Sequence, residues 1–177
     1  TAAIKLQEAG YEFTLLEQGD RVGGTWAANT YPGCACDVQV ALYQLSFAQS
    51  MLWTRLYPLQ AEIQAYAEEI TDRFQLRPNL HLNEGAASAV WSDADKTWTV
   101  TTTKGRVIEA DAVIGALGQL NRPFWPDIPG LDTFKGPKMH SAGWDHSVDF
   151  KGKRVGVVGS AASAVQLIPQ VALEASN

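Results

Sequence analysis

Glu17 closes a short apolar run, Tyr11-Glu12-Phe13-Thr14-Leu15-Leu16-Glu17. A carboxylate at the end of a buried strand can accept hydrogen bonds from ribose hydroxyls, as in dinucleotide-binding units about 20 residues after a glycine loop. Alone, Glu17 reads more readily as a surface carboxylate. Its neighbourhood adds weight, because Gly23-Gly24-Thr25-Trp26 opens a stretch that continues through Tyr31-Pro32-Gly33-Cys34-Ala35-Cys36 to Asp37. Paired glycines let backbone approach a ligand closely, a tryptophan offers a flat apolar wall, and Tyr-Pro-Gly stiffens the return of a loop.

A second glycine turn lies far along the chain, in Val157-Val158-Gly159-Ser160-Ala161-Ala162-Ser163-Ala164. Read as a strand running into a helix, it would aim backbone amides and a helix N-terminus at a pyrophosphate. Ala161 stands where a Gly-x-Gly-x-x-Gly turn has its middle glycine, and its methyl group narrows the approach. The same residues also read as an ordinary tight strand-to-helix turn. His140 lies in Phe134-x-Gly136-x3-His140-x3-Trp144-Asp145. By residue type alone it is a satisfied loop histidine. Cys34 and Cys36 read as two small buried thiols, since no other Cys/His cluster completes a four-ligand zinc site. No metal is expected.

Positioning these residues requires alternating elements. Ala2, Ala3, Leu6 and Ala9 follow a helical spacing that stops at Gly10, a natural cap. Tyr11 to Glu17 then reads as a buried parallel strand, and Gln18 to Asp37 as a loop punctuated by glycine and proline. Ile63, Tyr66, Ala67 and Ile70 predict a helix over Gln60 to Phe74, entered after Pro58. Ser88 to Trp91 and Thr97 to Thr102 flank Asp93-Ala94-Asp95-Lys96 as a hairpin. Ala112 to Gly118 is expected to form another buried strand. A proline-rich ordered linker follows, then a strand over Val155 to Val158 and a helix from Ala161. Internal repeats at periods of about 20 to 50 residues are absent from the pattern.

This order is that of an α/β protein with two dinucleotide-binding, Rossmann-like domains. The expected division is 1–118 for a first nucleotide domain carrying an inserted helix and hairpin, 119–150 for a linker, and 151–177 for the start of a second. Because the chain opens inside a helix and stops soon after Ala161, the first domain is expected to lack its first strand and the second to be cut off after one strand and helix. The 177 residues are 46% hydrophobic and 19% charged with net charge -5, the make-up of a soluble globular chain without the basic footprint of a nucleic-acid binder. No run approaches the ~18 apolar residues of a membrane span, and the N-terminus carries no signal-peptide pattern, so the expected location is cytoplasmic.

The residues Gly24-x-Trp26-x4-Tyr31-Pro32-Gly33-x3-Asp37 resemble the Gly-x-Trp-x4-Tyr-Pro-Gly-x3-Asp signature of Baeyer–Villiger monooxygenases. The block from Phe134 to Asp145 resembles the same family's Phe-x-Gly-x3-His-x3-Trp fingerprint, which ends in Pro or Asp. Flavin monooxygenases that oxidise nitrogen or sulfur typically carry Tyr and a basic residue where Trp144 and Asp145 stand. The resemblance runs from Thr1 to about Glu174. It implies FAD and NADPH as cofactors, O2 and a small-molecule ketone as partners, and conversion of the ketone to an ester or lactone through a C4a-peroxyflavin. Cofactor contacts are implied for Glu17, Gly23, Gly24, Thr25, Trp26, Asp37, Tyr43 and Ala86 on the flavin side. On the nicotinamide side they are implied for Gly159, Ser160, Ala161, Ser163 and Ala164.

Two catalytic roles are implied as well. Asp37 would hold the family's flavin-side arginine, and His140 would couple the linker to the cofactors. Trp26 and the Tyr31-Pro32-Gly33 turn would wall the flavin, with Phe134 and Trp144 as packing anchors on either side of His140. Val40 departs from the serine usual in the family, so one polar contact near the flavin is expected to be missing. The first glycine loop, the arginine and the phosphate-selecting residues are expected outside the chain, so that the 177 residues alone would be inactive and would not retain FAD. The alternatives are a heteroatom-oxidising flavin monooxygenase and an inactive partial gene product.

Overall fold

The computed structural model describes residues 1–176. Helix α1 spans Ala2–Glu8 and buries Ala3 and Ile4, so its inward face is shifted from the alanine spacing toward its one β-branched residue. It ends because Gly10 adopts φ +78°, letting the Gly10 N–H reach the Gln7 carbonyl and the Tyr11 N–H reach the Leu6 carbonyl. The strand expected over Tyr11 to Glu17 is only two residues long, β1 (Leu15–Leu16), paired parallel with β2 (Leu80–His81). A strand extends only as far as a neighbour offers backbone groups. Tyr11, beyond that neighbour, is 66% exposed.

Helix α2 (Thr25–Ala28) is a single turn entered from Gly24. Helix α3 (Gln60–Arg73) agrees with its apolar spacing and turns Ile63, Ile70 and Thr71 inward. Its entrance is fixed by the fully buried Pro58 and by the Glu62 carboxylate, which accepts from the N–H groups of Leu59 and Thr54. A first core gathers Ala3, Ile4, Ala48, Ile70 and Leu76, with Phe13, Leu15, Leu45, Tyr66 and Phe74 against it.

The expected hairpin forms as β3 (Ala86–Ser92) and β4 (Thr97–Thr102), in a register that places Trp91 opposite Trp98. A third antiparallel strand, β5 (Val107–Ala110), extends it to a meander. The sequence reading stops at the hairpin and misses this strand; Gly105, with φ +81°, makes the turn between a threonine-rich run and Val107-Ile108.

Two expected strands are absent among the described residues. Ala112 to Gly118 and Val155 to Val158 join no ladder, and Ile114, Leu117 and Val158 are 60%, 78% and 77% exposed. Both runs are apolar on both faces, a pattern that needs paired strands beside it and cover above and below. No described strand lies alongside either. The linker between them is largely exposed, with one 3-10 turn at Ser141–Gly143. Helix α4 (Ala162–Ala172) follows, and its Leu167 and Val171 join Tyr31 and Cys34 in a second core flanked by Trp26, Trp144, Phe150 and Val155.

Candidate functional site

The half-buried Glu17 leaves the end of β1 with its backbone held on both sides: its N–H donates to the His81 carbonyl and its carbonyl accepts from the Glu84 N–H. One carboxylate oxygen, Oε1, accepts from the Gly19 N–H at 2.7 Å. No donor among the described residues meets Oε2. Glu84 is itself fixed, buried at 6% exposure in a two-pronged pair with Arg106, whose Nε and Nη2 lie 3.0 and 3.3 Å from its two oxygens. The Thr102 hydroxyl and the Arg106 guanidinium hold the Glu84 carboxyl below the usual carboxylate range. Ala86 stands two residues beyond, exposed at the start of β3.

The first glycine turn is gripped by two glutamines of α3. Gln60 Nε2 donates to the Trp26 carbonyl, and Gln64 Nε2 donates to the Val22 carbonyl at 2.7 Å. Between these anchors Gly24 has φ +53°, and a Cβ built there would have nothing within 4 Å. Gly23 differs, because a Cβ there would run into Gln64 Oε1, a buried acceptor without a partner among the described residues. The stronger constraint at Gly23 is its φ of +119°, since the neighbouring Gln64 terminus is a flexible side-chain end, whereas Gly24 leaves open space. Trp26 donates its indole N–H to the Tyr43 hydroxyl at 3.0 Å, with the rings edge to face at 5.7 Å. Thr25 starts α2 beside them.

The Tyr31-Pro32-Gly33 segment packs against α4. Tyr31 is 7% exposed beneath α4, so it packs in the second core, and burial pushes its phenol up. Cys34 and Cys36 are buried free thiols, both pushed up by burial. Asp37 is exposed, and its carboxylate has no hydrogen bond among the described residues. Val40 is buried, with its N–H on the Leu56 carbonyl.

At the second turn Gly159 has φ +132°, and Cβ atoms at Gly156 and Gly159 would meet nothing within 4 Å. Ser160 and Ala161 are exposed, Ala161 caps α4 in extended conformation, Ser163 is half-buried and Ala164 is buried. His140 joins neither turn. Its Nδ1 accepts from the Ala142 N–H at 3.0 Å and its ring meets the edge of Trp125 at 6.1 Å. Trp144 of the fingerprint packs on Phe150 at 5.5 Å, and His146, just after it, has Nε2 2.9 Å from Thr30 Oγ1. Phe134 does not anchor as expected. It is 59% exposed, and its ring covers Gly136, where a Cβ would lie 2.7 Å away.

Sequence reasoning missed the glutamines. Gln60, Gln64 and Gln166 hold the loops by carbonyls and amides of other segments, and nothing in a helical glutamine's own neighbourhood announces such a partner. Only the one-turn spacing of Gln60 and Gln64 hinted at a shared face. Among the described residues no group of three or more His, Cys, Asp or Glu could hold a metal, and no helix is long and apolar enough to cross a membrane.

With this geometry in place, comparison with known proteins is informative. A Baeyer-Villiger monooxygenase of Streptomyces coelicolor is 44% identical over 171 residues, which are 96% of this chain and 33% of that protein. An FAD-binding monooxygenase of Aspergillus niger is 40% identical over 176 residues, covering 94% of this chain and 29% of its own length. The solved structure of cyclohexanone monooxygenase from Rhodococcus sp. Phi1 bound to NADP+ superposes with a TM-score of 0.90 at 36% identity, over 99% of this chain and 34% of that one. The chain thus spans about a third of the length of these relatives. The model of the pyridine nucleotide-disulphide oxidoreductase family matches residues 1–174, and the chain belongs to that family.

Proposed function

We propose that this chain is the cofactor-holding part of an FAD- and NADPH-dependent monooxygenase of the Baeyer–Villiger type. The whole protein inserts one oxygen atom of O2 into a small-molecule ketone and yields an ester or lactone. The observation that carries this reading is the first turn, where the open glycine Gly24 leads into an edge-on Trp26–Tyr43 pair, a few residues after the oriented Glu17 carboxylate at the end of β1. The relatives support it, since proteins named Baeyer-Villiger monooxygenase and cyclohexanone monooxygenase match along almost the whole chain.

The residues fit a dinucleotide. Glu17 Oε2 is a free acceptor suited to a ribose hydroxyl, and the open space at Gly24 suits close backbone approach. Gly159 to Ala161, ahead of α4, offer exposed backbone to a second pyrophosphate. In this reading residues 1–118 hold FAD together with Thr25, Trp26, Tyr43 and Ala86. Residues 119–150 form a linker, and residues 151–177 begin the nicotinamide part with Ser163 and Ala164 in its helix. FAD, when bound and reduced, supplies the activation of O2. Asp37, exposed and without a hydrogen-bond partner among the described residues, orients a cation beside the flavin. His140 acts through the linker, conveying the seating of Trp144 and His146 to the cofactors.

The test is oxygenation by the whole protein under heavy-isotope O2 with NADPH and cyclohexanone. One heavy oxygen in the lactone is the expected result. NADPH consumption with the ketone untouched, and an amine or sulfide oxidised instead, would assign the protein to heteroatom oxidation.

A further inference from the structure

We infer that Gln166 is a positioning residue, whose amide latches α4 to the Tyr31–Ala35 loop and so sets the spacing between the two glycine turns. The importance of that spacing rests on the functional reading above; the latch itself does not.

One side chain closes three hydrogen bonds across 131 to 135 residues of sequence. Gln166 Oε1 accepts from the Tyr31 hydroxyl at 2.8 Å and from the Ala35 N–H at 3.3 Å, and Nε2 donates to the Ala35 carbonyl at 2.9 Å. The contact is tight, since a Cβ at Gly33 would lie 2.7 Å from the Gln166 carbonyl oxygen. On its opposite side the same loop is stitched to the entrance of α3. The Cys36 N–H donates to the Pro58 carbonyl, the Gln60 N–H donates to the Cys34 carbonyl, and Ala35 bridges to Leu59. Helix α3 in turn holds the first glycine turn through Gln60 and Gln64. A continuous path of hydrogen bonds therefore runs from Val22 and Trp26 through α3, the loop and Gln166 to α4, which begins at the second turn. Gln166 is the side chain that joins its two halves. A glutamine suits the place because a backbone amide and carbonyl must be answered together, and its side chain carries one acceptor and one donor group.

The latch has a built-in reporter. Cys34 lies in the second core against Leu167 and Val171, whereas Cys36 belongs to the same loop but has its N–H on the α3 side. Opening at α4 exposes Cys34, while global unfolding exposes both thiols. The experiment compares labelling by a thiol-reactive disulfide in Cys36→Ala and Cys34→Ala backgrounds, with Gln166 intact and as Gln166→Leu, in nucleotide-free protein. Losing the three bonds leaves the Tyr31 hydroxyl and both Ala35 groups unanswered. Cys34 labelling is expected to rise about 10- to 100-fold, with Cys36 within about twofold of its original rate. Tyr31→Phe, a milder change, should raise Cys34 labelling a few-fold. Equal acceleration of both thiols, or no acceleration of Cys34 in either variant, would overturn the assignment. Failure of the whole protein to take up FAD would sink the functional reading and leave this rate difference in place.

Discussion

Gly33 and Gly10 form a matched pair for testing whether α4 is seated on the Tyr31–Ala35 loop as described. Their φ values are +80° and +78°, so replacement by alanine imposes the same backbone strain at both, roughly 1 to 2 kcal/mol, partly offset by a stiffer unfolded chain. Their surroundings differ. A Cβ at Gly10 has nothing within 4 Å, whereas one at Gly33 lies 2.7 Å from the Gln166 carbonyl oxygen and 2.9 Å from Gln170 Cγ. Forcing a methyl group against helix backbone costs about 1 to 3 kcal/mol more. Gly10→Ala should therefore lower stability by about 1 kcal/mol and Gly33→Ala by about 3 kcal/mol. In a chain of this size that is roughly 2 to 4 °C against 6 to 12 °C in Tm. Urea titration followed by circular dichroism measures both. Equal losses in the two variants would refute the contact between Gly33 and α4, whatever their absolute size.

Other perturbations address the chemistry and the acid limb of stability. Asp37→Ala in the whole protein should slow oxygenation by about 100-fold while FAD affinity changes little, and normal oxygenation in stopped-flow spectra would remove the role given to Asp37. His140→Ala should lower both flavin reduction by NADPH and the fraction of reduced flavin coupled to product, with hydrogen peroxide released; an unchanged anaerobic reduction rate would reject the coupling role. Glu84 has a folded value below its ordinary 4.5, so the unfolded chain binds the proton more readily. Its stabilisation is present above about pH 4.5 and fades as pH falls through the folded value; Glu84→Gln should flatten that part of the acid denaturation curve, and an unaltered curve would show that the Arg106 pair contributes nothing there.

The elements that could be read from sequence are those whose partners are close by. The helix over Gln60 to Arg73 carries its own apolar stripe and cap, and the hairpin around Asp93 to Lys96 pairs with itself. The strands expected over Ala112 to Gly118 and Val155 to Val158 could not be judged in the same way, because an apolar run states that it needs a neighbour without saying whether one is at hand. The site divides along the same line. Glycine, tryptophan and acid at fixed spacing mark the turns: Glu17 follows β1 with one oxygen on the Gly19 N–H, and Gly24 and Trp26 lie on the turn held by α3. What the sequence did not announce is the partner of Tyr31, because a rigid aromatic turn carries no sign of a helix side chain that arrives 135 residues later.

The grip of Gln60 and Gln64 on the carbonyls of Trp26 and Val22 makes α3 a ruler for the first glycine turn. The two side chains leave the helix four residues apart, a rise of about 6 Å, and that interval is imposed on the two ends of the loop they hold. Length and composition are thereby separated. Residues between the anchors can be exchanged wherever the backbone conformation allows, but one inserted or deleted residue cannot satisfy both glutamines at once, because the helix will not stretch to follow it. Such a loop is open to drift in chemistry and closed to drift in size.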